Sequence, residues 1–173
     1  SQTIEKSTFP HHNQDTAGGK LYPVVFGAPG VSIDDTGNTV NLFCTPAYNV
    51  KEYQGHDHRS LFIIAGHEVQ VSTVRVRDGA NNEATIAVQQ SFDQKGQVYS
   101  YIDLDGSGLM YPGASSLSTA AQTPKEFWIS WINGGGLSNP YGAGVLTGGA
   151  DICRWALVKA GIAVDYGAWD NMA

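Results

Sequence analysis

Three clusters of side chains in this sequence have the types and spacing to do chemistry. The string DLDGSG puts Asp103, Asp105, Ser107 and Gly108 at positions 1, 3, 5 and 6 of an EF-hand-type calcium loop. Oxygen ligands at alternate positions can wrap a hard cation, and glycine permits the sharp turn. The match fails further on: position 12, where a bidentate glutamate belongs, is Ala114, and a strand rather than a helix leads in. A strand end running into a Gly-rich turn explains the string without a metal, and calcium is the lesser reading.

The second cluster is His56-Asp57-His58. Alternate residues of an extended chain can turn two imidazoles toward one metal, but zinc needs at least three protein ligands and no further one is evident. A solvated polar loop is the expected state. His11-His12 with Asp15 has a lesser claim again. In the third cluster, His67-Glu68, histidine beside glutamate could form a general-base pair. Neighbours on a strand point to opposite faces, so a structural histidine near a strand turn is the better reading.

Aromatic residues crowd the last third of the chain: Trp128, Trp131, Tyr141, Trp155, Tyr166 and Trp169. Aromatic rings in a shallow groove stack on sugars, anchor protein interfaces, or simply fill a core. Trp128, Trp131 and Tyr141 are the candidates for an interface or a glycan platform. Nucleophile elbows, Walker loops, Rossmann fingerprints and zincin helices do not occur. Gly134-Gly135-Gly136 has no lysine after it and opens no helix, so it is not a phosphate cradle. Asp103 and Glu126 could be imagined as the paired carboxylates of a hydrolase, but nothing in their spacing singles them out. No catalytic residue and no cofactor is assigned.

The elements that must position these residues are mostly strands. Tyr22–Phe26 reads as a first strand, Ile33–Asn38 as a turn rich in Asp, Asn and Gly, and TVNLFC as a second strand. LFIIAG is an apolar run suited to a buried strand. Val69–Arg77, Thr85–Phe92 and Gln97–Leu104 follow, separated by Gly-containing turns, and make an antiparallel meander. Ile86, Val88 and Phe92 share one face; Val98, Ile102 and Leu104 lie opposite Tyr99 and Tyr101. Val69 and Val71 are out of phase with Val74 and Val76, which predicts a bulge or bend near Ser72-Thr73. In EFWISWIN, Phe127, Ile129 and Trp131 face one way and Trp128 and Ile132 the other, which predicts burial on both faces. The stretch 106–124 and GGGLSNPYGAG are loops, the second one mobile in composition.

Thr147 is the expected cap of a helix whose apolar stripe is Ile152, Cys153, Ala156, Leu157 and Ala160, with Gly161 closing it. Asp165 would cap a second helix that is only begun, so a domain of a longer polypeptide is expected. The predicted organisation is an extended N-terminal arm (1–20), a β-rich domain (21–145) and a helical C-terminal element (146–173). The fold class is α+β, mostly β, with an antiparallel meander as its body, a C-terminal helix and the start of a second.

Bulk properties agree with this class. The 173 residues are 42% hydrophobic and only 15% charged, with 21 glycines, which suits a loop-rich β protein. A net charge of −6 with ten scattered Lys and Arg argues against a nucleic-acid partner. The longest apolar run is too short to span a bilayer, so no membrane insertion is expected. The stretch SQTIEKSTFPHHN has neither the basic start nor the apolar centre of a signal peptide. Cys44 and Cys153 are expected as two buried thiols rather than a bridge.

Three stretches, LYPVVFGAPG, LFIIAGHEVQVSTVRVRDG and GGADICRWALVKAGIAVDYGAWDNMA, occur in this order. Together they resemble tail-tip or baseplate hub proteins of tailed bacteriophages and related gene transfer agents. Pro23, Phe26 and Gly27 carry the first element of the resemblance. Ala65, Gly66, His67, Val74, Val76, Asp78 and Gly79 carry the second, and Asp151, Trp155, Leu157, Ala160, Gly161, Val164 and Asp165 the third. The resemblance covers about half of the chain and transfers no catalytic residue. It implies a structural subunit of a virion tail, made in the cytoplasm of a bacterial host, not an enzyme. Its partners would be other tail or baseplate proteins, and it would be homo-oligomeric when assembled. The alternative is a module that binds host-surface carbohydrate, with calcium as a possible aid; an enzyme fragment is a further rival.

Overall fold

The computed structural model describes residues 3–10, 17–27, 30–50, 61–104, 107–109, 127–131 and 136–163. The fold is mostly β, with one helix among the described residues. Its strands are β1 (Val31–Ile33), β2 (Thr39–Asn41), β3 (Thr45–Asn49), β4 (Leu61–Ala65), β5 (Thr73–Asp78), β6 (Glu83–Phe92), β7 (Val98–Asp103) and β8 (Phe127–Ser130), and its helix is α1 (Gly149–Lys159). The pair β1–β2 forms a separate hairpin. The other six close into an antiparallel barrel in the order β3-β4-β7-β6-β5-β8, so none of them is left as a sheet edge.

Alternation along the strands fills the barrel. Phe62 and Ile64 of β4, Val74 and Val76 of β5, Ile102 of β7, and Phe127 and Ile129 of β8 all enter one core, which Trp131 completes. The rings of Phe62 and Phe127 meet edge to face at 4.9 Å. Every residue of β4 is buried. A register shift between Ile63 and Ala65 and a second cluster on the outer face account for this. Leu61, Ile63 and Tyr99 face outward and are covered by Ile4, Phe9, Ala17 and Tyr22.

The N-terminal segment is therefore not an extended arm where it is described: Ile4, Phe9 and Ala17 are buried against the chain's own barrel. The ring of Phe9 packs edge to face on Tyr99 of β7 at 4.9 Å.

Three hairpin turns share one design. In 34–38, 78–82 and 93–97 an aspartate opens the turn and its Oδ1 accepts the N–H groups two and four residues later. The aspartate N–H donates to the carbonyl four residues on, and its carbonyl accepts from the N–H three residues on. The fourth residue has positive φ: Gly37, Asn81 and Gly96 at 84°, 64° and 77°. This is the three-residue hairpin loop with a left-handed position, where Gly and Asn are favoured.

Several expected elements differ. Tyr22–Phe26 is not a strand; Leu21 only bridges Thr3. The backbone of this segment is held by loops instead, since Val25 O accepts from Leu137 N, Pro23 O from Gly66 N, and Gly27 N donates to Leu146 O. The second strand stops at Asn41, before Cys44. Of the expected bulge or bend near Ser72-Thr73 the structure has the bend: β5 begins at Thr73, with Val69 and Val71 before it, and the register shift falls in β4. Phe92, expected on one face with Ile86 and Val88, ends β6 and is 70% exposed.

The C-terminal element also corrects the reading. The N-cap of α1 is Gly148, with no side-chain cap, in place of Thr147. Asp151 does lie in the first turn, and Gly161 closes the helix with φ 75°. Its N–H donates to Val158 O, and Ile162 N donates to Leu157 O, a Schellman closure. None of its residues is buried, so the expected stripe is not an inward face. Trp155 meets Phe26 edge to face at 5.3 Å instead. Cys44 and Cys153 are both exposed, against the expectation of buried thiols. Asp165 and the second helix lie outside the described residues.

Candidate functional site

Trp131 is fully buried, so it is no platform for a sugar or a partner. Its indole Nε1 donates to Thr45 Oγ1 at 2.9 Å, across the β8–β3 seam. A separation of three along an extended chain puts Trp128 and Trp131 on opposite faces, and the structure places them so. Trp128 points out of the barrel and is 38% exposed, whereas Ser130 on the same face is buried, so the outer face of β8 is covered at Ser130 and open at Trp128. The ring of Tyr141 carries the Arg154 guanidinium at 4.0 Å from its centroid, and the Tyr141 N–H is held by Asn139 Oδ1. The three aromatic candidates do not form one face, and the carbohydrate alternative is left chiefly with Trp128.

Of the calcium candidates, Asp103 ends β7 opposite Leu61, and Asp105 lies outside the described residues. Ser107 Oγ accepts the Leu109 N–H at 3.2 Å, and Ser107 N donates to Leu104 O, so this hydroxyl helps to hold a local turn. Among the described residues no group of three or more His, Cys, Asp and Glu side chains converges as a metal site. His11, His12, His56, His58, Asp15 and Glu126 lie outside the described residues.

His67 is a structural histidine. Its Nε2 accepts the Val25 N–H at 3.0 Å, and its Nδ1 lies 2.7 Å from the Glu68 carbonyl. An accepting Nε2 and a carbonyl at Nδ1 assign the proton to Nδ1 of a neutral ring. Burial pushes the imidazole below its ordinary value of 6.5, and the bond to Glu68 pulls the other way. Ser100 Oγ donates to the His67 carbonyl at 2.7 Å. With both nitrogens engaged in the fold, His67 is not poised to take a proton from a substrate.

A cavity of about 110 Å³ opens between the N-terminal segment and the outer face of the barrel, beside Phe9, Val50, Leu61, Tyr99 and Asp93. Asp93 is its only carboxylate among the described residues, and both oxygens are engaged: Oδ2 by the Tyr22 hydroxyl at 2.6 Å, and Oδ1 by the N–H groups of Lys95 and Gln97. Burial, reinforced by that bond, pushes the Tyr22 phenol well above its ordinary value.

One constellation escaped the sequence reading. On the outer face of β5, Arg75 and Arg77 share Glu83 across the hairpin. Arg77 Nε and Nη2 donate to Glu83 Oε1 at 3.1 and 2.8 Å, and Arg75 Nη2 lies 3.1 Å from Oε2. The Arg77 guanidinium lies 3.9 Å above the Phe43 ring centroid, and Trp128 is its cross-strand neighbour. The alternation V-R-V-R was the available signal, because it puts both arginines on one strand face. Phe43 could be added only from the tertiary fold.

Comparison with protein-family models, with curated proteins and with solved structures found no match to this chain.

Proposed function

We propose that this chain is a structural subunit domain of a phage-like virion tail, of the tail-tip or baseplate-hub kind, and that it works by burying surface against other tail proteins. The three ordered stretches that resemble such proteins support the choice of assembly. The observation that carries the reading is α1. A helix of 11 residues is marginal by itself and draws its stability from packing. Yet α1 has no buried residue, and Val158 and the adjoining Ile162 are 43% and 53% exposed. Trp155 on Phe26 and Arg154 on Tyr141 anchor one side. Its remaining apolar surface suits a neighbouring subunit.

Light scattering over a concentration series tests this. A discrete oligomer, weakened by Val158→Asp or Ile162→Asp, is the expected result. A monomer at every concentration sinks the proposal.

A further inference from the structure

The outer face of β5 and β8 combines charge, aromatic surface and rigidity in one place. Arg75 and Arg77 point outward there because Val74 and Val76 point into the core. Their side chains are 38% and 35% exposed, beside Trp128, which is also exposed. We infer that this Arg75–Arg77–Trp128 face is where one copy of the chain docks against an acidic surface of a second copy. The inference rests on the assembly reading and names its partner.

Charge complementarity selects the occupant. Two guanidinium groups share the single carboxylate of Glu83, so the cluster keeps one net positive charge. The chain has ten basic and sixteen acidic residues; without these two arginines and this glutamate its balance is −7. A second copy therefore brings a net acidic balance to this face. Opposite charges steer encounter and fix register at such contacts.

Composition and geometry agree. Tryptophan and arginine are the residues most enriched among interface anchors. Glu83 and the Phe43 ring already hold Arg77, so less side-chain freedom is lost on docking. The strands beneath belong to a closed barrel, which keeps the face in one shape. A cationic face meeting a different, acidic surface is a head-to-tail contact, and such contacts generate rings or filaments.

The test is sedimentation equilibrium of the wild type, Arg75→Gln and Trp128→Ala, in about 0.05 M and about 1 M sodium chloride. Circular dichroism checks that each variant is folded. The expected result is a self-association constant weakened at least about tenfold by either substitution, and weakened by salt in the wild type. If Trp128→Ala does not fold, Arg75→Gln and the salt series carry the test. A wild type that associates with the same constant in both variants and at both salt concentrations overturns this inference and leaves the assembly reading standing. A wild type that stays monomeric overturns both. Normal self-association of Trp128→Ala, with saturable quenching of wild-type fluorescence by a polyuronate, also overturns it and assigns the face to an acidic glycan.

Discussion

The Tyr22 hydroxyl donates a 2.6 Å hydrogen bond to Oδ2 of Asp93, which lies 71 residues further along the chain. The bond joins the N-terminal segment to the β6–β7 turn, and Asp93 Oδ1 organises that same turn. Tyr22→Phe keeps the ring but removes the donor from a buried acceptor. The expected cost is about 1–3 kcal/mol, read as a lower urea midpoint. An unchanged midpoint would mean that Oδ2 finds another donor and that the tie is not structural.

His67 sets a pH dependence. Burial holds its folded-state value below the unfolded 6.5, so the unfolded chain binds the extra proton first as pH falls. Its contribution is complete above about 6.5 and declines as pH drops from there toward the folded value. Thermal melts between pH 7.5 and 5 (roughly the window of this titration) should show a loss that His67→Gln reduces. A parallel decline in wild type and variant would assign the acid sensitivity to carboxylates instead.

The shared turn design predicts opposite outcomes at one position. Asn81 has φ 64°, where glycine is at ease and a β-branched side chain is strained. Asn81→Gly should be close to neutral, whereas Asn81→Val should cost about 1–2 kcal/mol. Equal stabilities in denaturant titration would mean that the 78–82 turn relaxes to another form.

Strand content was legible where burial and period agreed. LFIIA is wholly apolar and became a wholly buried strand, and the meander from β5 to β7 follows its alternation. Closure of the barrel was not legible, because the β3–β8 pairing joins residues 80 to 84 positions apart and leaves no local trace. Tyr22–Phe26 looked like a strand because it is apolar, but Val25 N–H bonds to His67 rather than to a ladder. In α1, spacing favoured Ile152, Cys153, Ala156, Leu157 and Ala160 as the inward stripe, yet Trp155 on Phe26 and Arg154 on Tyr141 anchor the helix. Among the site residues, parity alone separates Trp128 from Trp131. The Arg75–Glu83–Arg77 bridge needs the β5–β6 register, in which Glu83 lies opposite Arg77.

Trp131 and Trp128 give the sharpest contrast between core and surface. Trp131 is fully buried, its indole is tied to Thr45, and the backbone N of the same residue lies where a Cβ on Gly30 would fall. Trp131→Ala should cost about 3–5 kcal/mol, because the neighbouring strands cannot close the space the indole leaves. Trp128→Ala removes an outward side chain and should change stability by no more than about 1 kcal/mol. Chemical denaturation measures both. Iodide quenching adds an independent readout: the accessible fraction of emission should fall in Trp128→Ala and rise in a folded Trp131→Phe, since each substitution removes one emitter from a different population. If both variants lose equal stability and shift quenching alike, the assignment of inward and outward faces on β8 is wrong, and with it the docking face built on Trp128.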